Sequence, residues 1–152
     1  MAGLGAQGLV DALVTHAQAS GRFETVNSHE PKSAPGNGLR VAIWADKVTP
    51  VRTSGLNITS ALVTLMVRVY SNMVSEPQDA IDPEIVGAVD VLMAAYSGDF
   101  ELGGLAREVD LLGAYGAGLS AQAGYLNQDG RLYRVVTITV PILVNDAWTQ
   151  SP

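Results

Sequence analysis

Arg131 to Trp148 reads RLYRVVTITVPILVNDAW, and how this stretch is read decides the fold. Its even positions are Leu132, Arg134, Val136, Ile138, Val140, Ile142 and Val144, all apolar except Arg134. Its odd positions include Tyr133, Thr137, Thr139 and Pro141, which suit a wetter surface. Side chains alternate between the two faces of a strand, so the pattern predicts a long β-strand with one buried face. Val, Ile, Thr and Tyr also have the shapes that fit a pleated, half-buried surface.

Immediately upstream, Asn127-Gln128-Asp129-Gly130 ends in Asp-Gly, a pair that tolerates the positive φ angles of a tight hairpin turn. With Asp129 and Gly130 as the loop, position i pairs with 259 minus i. Tyr125 then faces Arg134, Ala123 faces Val136, Ala121 faces Ile138 and Leu119 faces Val140, with Ala117 and Tyr115 continuing the row opposite Ile142 and Val144. On the other face Gln122 meets Thr137 and Ser120 meets Thr139. Small side chains on one strand complement large ones on the other, which is how cross-strand pairs stabilise a sheet.

Working outward, residues 4–19 set Leu9, Val10, Leu13, Val14 and Ala17 on one helical stripe, with Gly21 as a C-terminal stop. Phe23 to Asn27 is either a short strand or the exit from that helix. Ser28 to Gly38 has two prolines, two glycines and mixed charge and reads as a surface loop. It is either a connector or a functional loop, since loops of roughly 12 or more residues are uncommon in compact domains.

Leu39 to Val48 alternates as a strand, and Thr49-Pro50 to Ser54-Gly55 forms a turn region whose basic residues are Lys47 and Arg52. A second strand follows, with Ala61, Val63, Leu65, Val67 and Val69 on one side. Its other side, Leu62, Thr64, Met66, Arg68 and Tyr70, is mixed rather than wet, which predicts a central strand or one covered by another subunit. Asp82 as N-cap, Pro83 at the first helical position and Glu84 near the positive end of the dipole open a second helix, closed by Gly98. Its buried stripe is Ile85, Val89, Leu92, Met93 and Tyr96, and a glycine-rich link from Asp99 to Asp110 leads to the hairpin.

The order helix, strand, strand, helix, strand, strand predicts one α+β domain over residues 1–152. It would hold a mainly antiparallel sheet of about four to five strands, with both helices on one face and a long C-terminal β-hairpin. A length of 152 residues, 47% apolar and 16% charged, is enough for a real core and argues against disorder. The formal charge of −6 sets the surface against nucleic acid and anionic membrane. There are no cysteines, which removes disulfides and thiolate chemistry. The N-terminus lacks a positive n-region, and the apolar run Ser60–Tyr70 is too short to span a bilayer, so the chain reads as soluble with no membrane partner.

Catalytic patterns are weak. His16 and His29 have no carboxylate or second histidine at ligand spacing and read as structural or solvated. Gly118-Leu119-Ser120-Ala121-Gln122 lacks the closing glycine of a nucleophile elbow and lies in a strand, so Ser120 is a face residue. Glu76, Asp79, Asp82 and Glu84 form either an acid–base cluster or, more simply, caps and solubilising charge. Gly36-Asn37-Gly38 precedes a strand, whereas a dinucleotide loop follows one. No catalytic residue, metal site or cofactor is expected, and the chain does not read as an enzyme. Gly113, Gly116, Gly118 and Gly124 are expected to leave one face of the hairpin shallow, open to a neighbouring backbone or subunit. Trp148, near a polar C-terminus, either marks an exposed interface or folds back over a helix.

The segment LAREVDLLGAYGAGLSAQAGYLNQDGRLYRVVTITVPILVNDAWTQ, Leu105 to Gln150, resembles the C-terminal half of tail terminator proteins of long-tailed (siphovirus-type) bacteriophages, particularly those of actinobacterial hosts. The N-terminal helix, the basic-tipped loop near Lys47 to Arg52 and the helix at 82–97 are similar in order to that family. The resemblance implies a structural virion protein at the tail–neck junction, assembled in the host cytoplasm. Such a protein forms a homohexameric ring that caps the tail tube, ends tube polymerisation and offers a head–tail joining surface. Its implied partners are further copies of itself, the tail tube protein and a head-completion or neck protein. DNA passes through the lumen non-specifically, and an acidic chain holds phosphates weakly enough to let it slide. Lys47, Arg52 and Trp148 are the assembly-interface candidates. The competing readings are another neck, head-closure or tail-tube component, or a small-molecule-binding α+β domain.

Overall fold

The computed structural model describes residues 4–28, 39–51, 58–72, 81–128 and 130–149. Helix α1 (Ala6–Ser20) is followed by strands β1 (Thr25–Asn27), β2 (Leu39–Val51) and β3 (Ile58–Asn72). Helix α2 (Ile81–Gly98) leads through a short 3-10 turn at Leu102–Gly104 to β4 (Glu108–Val109), β5 (Ser120–Gln128) and β6 (Arg131–Thr149). The six strands form one mixed sheet ordered β1-β2-β3-β6-β4, with β5 also paired to β6. Only β1 against β2 is parallel; every other pairing is antiparallel. The α+β class is therefore as the sequence predicts, with two short strands, β1 and β4, extending the sheet.

Both helices cover one face. The stripe Leu9, Val10, Leu13 and Ala17 of α1 and the stripe Ile85, Val89, Leu92 and Tyr96 of α2 are buried. They meet Val41 and Ile43 of β2, Val63, Leu65, Val67 and Val69 of β3, and Ile138, Val140 and Ile142 of β6 in one apolar cluster. The period of 3.6 in the helices and of 2 in the strands each resolve onto that single layer. The start of α2 differs from the sequence reading: the helix begins at Ile81, so Asp82 and Pro83 are its second and third residues and not its cap and first position. The expected surface loop over 29–38 lies outside the described residues.

The opposite face is drier than its sequence suggests. Tyr133 and Val135 of β6, Tyr70 of β3 and Ala42 of β2 are buried in a second cluster, against which Trp44 and Leu126 pack. The Tyr70 and Tyr133 rings meet edge-to-face at 6.4 Å. Pro141 and Leu143 are also buried, whereas Leu132, assigned by alternation to the buried side, is 46% exposed. On the face away from the helices Tyr133 and Val135 are enclosed by Tyr70, Ala42, Trp44 and Leu126, whereas Leu132 sits next to the hairpin turn, one residue from the closing Gln128↔Arg131 pair.

Two irregularities shape the sheet. The β2–β3 register shifts at Asp46, between Ala45 and Lys47, and β2 continues through Thr49 and Pro50 to Val51, so the expected turn at Thr49-Pro50 is strand instead. The β3–β6 register shifts near Ser60, where Asp146 takes a φ of +53 and its N–H donates to Ser60 Oγ at 3.2 Å. Beyond that bulge β6 pairs Trp148 with Thr59 and Thr149 with Ile58.

Candidate assembly surfaces

The β5–β6 ribbon follows the register that its sequence predicts from Ser120↔Thr139 through Ala121↔Ile138 and Ala123↔Val136 to Gln128↔Arg131. That last pair leaves a two-residue turn, in which Gly130 takes φ +75, a conformation that glycine reaches without a Cβ clash. Arg134, the one polar residue in the apolar row, lies over the Tyr125 ring at 4.6 Å and donates from Nη1 to the Gly124 carbonyl at 3.1 Å.

The row does not continue as expected. Leu119, Ala117 and Tyr115 do not pair with Val140, Ile142 and Val144; β5 begins at Ser120, and β4 takes the adjoining edge of β6 through Val109↔Ile142. The cause is Asp110, which is 2% exposed. Its Oδ1 accepts the N–H groups of Gly113 at 3.1 Å and Ala114 at 2.7 Å, and its Oδ2 that of Tyr115 at 3.0 Å. Its main-chain N–H donates to the Pro141 carbonyl at 2.8 Å, and its carbonyl accepts from Leu119 at 3.1 Å. One carboxylate thus closes residues 110–119 into a compact loop. Gly113 and Gly118 serve that closure, not a shallow hairpin face: a Cβ on Gly118 would lie 2.7 Å from the Gly113 nitrogen and the Leu111 carbonyl oxygen. A Cβ on Gly124, by contrast, would meet nothing nearer than Val135 Cγ2 at 3.9 Å.

This loop presents Leu112, 98% exposed, and borders a cavity of about 340 Å³ lined by Phe100, Glu108, Val109, Asp110, Leu111, Leu112 and Ala114. The Asp110 carboxylate is committed to loop amides, so the cavity offers Glu108 as its other carboxylate and otherwise mostly apolar walls. In sequence this segment reads as glycine-rich and Asp110 as the end of a link. An Asp followed by closely spaced glycines is the signal that could have found it.

Of the three interface candidates, Lys47 and Trp148 fall within the described residues. Lys47 is exposed on β2, beside the bulge. Arg52 lies outside the described residues. Trp148 is half-buried and packs against the margin of the main apolar cluster. On the sheet face away from the helices, the Arg68 guanidinium lies 5.3 Å from the Trp44 ring and its Nε donates to Thr137 Oγ1 at 3.0 Å.

His16 has a carboxylate partner that spacing could not reveal: its Nε2 lies 2.9 Å from Asp99 Oδ2, joining α1 to the end of α2 across 83 positions. The hydrogen bond from His16, helped by the Gly103 N–H, holds the Asp99 carboxyl below its ordinary range. Tyr96, edge-on to the His16 ring at 6.2 Å, is pushed upward by burial. His29 lies outside the described residues, as do Glu76 and Asp79, while Glu84 is exposed. Among the described residues, no group of three or more His, Cys, Asp or Glu stands close enough to hold a metal ion. None of the described helices is long and apolar enough to cross a membrane.

No protein-family model matches the chain. No curated protein matches it either. Among solved structures, it is similar to a chain of the "Virion of native gene transfer agent (GTA) particle", with a TM-score of 0.39 and 11% identity over 89% of this chain and 93% of that one.

Proposed function

We propose that this chain is a structural virion protein, without enzymatic activity, that acts as a tail terminator. Copies form a ring, a homohexamer by the resemblance, that caps the tail tube at the tail–neck junction, ends its polymerisation and offers the surface to which the head is joined. The observation that carries this reading is the β5–β6 ribbon. It lies within the segment that resembles tail terminators, holds a single register over its whole length, and leaves six of the nine residues of its outer strand exposed. A protein whose role is to sit beside copies of itself needs such a surface; a protein that performs a reaction needs convergent polar groups instead. Tail tube protein and a head-completion protein would be its further partners, and DNA would pass through the lumen of an acidic ring without specific contact.

The decisive experiment is to image particles made without this gene product. Overlong tails lacking heads support termination, and tails of normal length joined to heads refute it. Negative-stain imaging of the purified chain separates the nearest rival, since a tail-tube subunit would grow filaments where a terminator stops at a discrete ring.

A further inference from the structure

We propose that β5 is the donor edge by which one copy of this chain adds its sheet to the next, pairing with the outer edge of β2 on a second copy; this rests on the ring-forming reading above.

The direction of the β5 backbone follows from its neighbours. The Leu143 carbonyl accepts from Arg107 N–H and the Pro141 carbonyl from Asp110 N–H, so the odd-numbered groups of β6 face the β4–β5 side. Alternation then directs the main-chain groups of Ser120, Gln122, Gly124, Leu126 and Gln128 toward β6. Those of Ala121, Ala123, Tyr125 and Asn127 point outward. The Ala123 carbonyl is capped by a neighbouring side chain, accepting from Gln122 Nε2 at 3.3 Å.

Sheet edges are normally protected by charge, proline, a bulge or a covering element. The nine residues of β5, SAQAGYLNQ, carry none of the first three, and their register against β6 has no shift. Nor are most of them covered: Ser120, Ala121, Gln122, Ala123, Tyr125 and Asn127 are exposed, although Ala121 and Ala123 sit opposite the buried Ile138 and Val136.

A second copy supplies a matching strand. Pairing to β1 occupies β2 only at Arg40, Val41 and Ala42, leaving residues 43–51 with an open outer edge among the described residues. Strand directions alternate across β2, β3, β6 and β5, so repeating the sheet head-to-tail sets β5 antiparallel to the next β2. Ala45 shares the helix-bearing face with Ala121 and Ala123, so the layers of both copies stay aligned. The β2 edge is itself guarded by the bulge at Asp46, by Lys47 and by Pro50, which disfavours β2 pairing with β2. An uncharged β5 also adds no repulsion between copies that each carry −6.

The cysteine-free chain makes the test clean. Ala45→Cys is combined in turn with Ala121→Cys, Ala123→Cys and Tyr125→Cys, and the oxidised full-length chain is run without reductant while light scattering reports assembly. A ladder of covalent oligomers from one of the double variants, with the single variants giving none, is the expected result, because disulfide geometry admits one register. A covalent dimer from a β5 single variant means β5 pairs with β5 and overturns the proposal. Assembly without any cross-link overturns it while leaving the ring reading standing; absence of assembly, both alone and on tail tubes, sinks both. As a second measurement, Ala123→Pro removes an outward N–H and spares the bonds to β6. It should weaken self-association by about tenfold with an unchanged melting temperature, and unchanged association refutes the proposal.

Discussion

Replacing Asp110 with Asn changes one atom type at the point where the loop at 110–119 is tied together. The amide oxygen can keep the bonds from Gly113 and Ala114, now without a formal charge, but the amide nitrogen is a donor and would face the Tyr115 N–H now held at 3.0 Å. Hydrogen bonds to a charged group contribute ~1.5–3 kcal/mol and neutral ones ~0.5–1.5 kcal/mol, so two weakened bonds cost ~2 kcal/mol together. The lost third bond, partly offset by hydration of an accessible amide, adds ~1 kcal/mol, for a total of ~3 kcal/mol. At roughly 2–4 °C per kcal/mol for a chain of this size, the melting temperature should fall by roughly 6–12 °C. Urea unfolding gives the free energy, and amide exchange should show Tyr115 losing protection while the amides of β3 keep theirs. An Asp110→Asn chain within about 0.5 kcal/mol of the parent, the range of an ordinary surface change, would refute the account of the carboxylate as the organiser of this loop.

Other expectations follow from the same geometry. Asp99 has a folded-state pKa below its ordinary value of 3.8, so its contribution to stability is present above that value and is lost as the pH falls through the lower, folded-state one. Melting curves should therefore show Asp99→Asn less stable than the parent at pH 6, with the gap closing in acid; a gap that persists unchanged at pH 2 counts against the His16 contact as its cause. Gly118→Ala should cost about 1–3 kcal/mol by overpacking, whereas Gly124→Ala should stay within about 0.5 kcal/mol, and equal effects in denaturant titrations would contradict the loop geometry. Leu92→Ala, fully buried between α2 and the sheet, should cost about 2–5 kcal/mol, and a smaller loss on calorimetry would mean that α2 is less firmly docked than described.

The segments legible in advance were those whose own periodicity specifies their burial. The stripes of α1 and α2 and the alternation in β2, β3 and β6 each point to one face, and the Asp129-Gly130 pair fixes how β5 meets β6. The interface candidates were less legible, because exposure depends on what else reaches a residue. Trp148 reads in sequence as either an exposed interface or a residue folded back over a helix, whereas β6 extends past Asp146 and carries it to the margin of the core. Tyr133 and Pro141 fall by alternation on the wetter face, yet both are buried, Tyr133 against the Tyr70 ring.

The sequence by itself determined the two helices, the long strands β2, β3 and β6 and the hairpin alignment from Ser120 onward, because a period of 2 or 3.6 and a turn dipeptide act over a few residues. The tertiary structure alone decided where the ribbon stops, which face stays dry and which edge is left open. Those depend on contacts between distant positions, such as Asp110 with Pro141 and His16 with Asp99, for which no local pattern carries a signal.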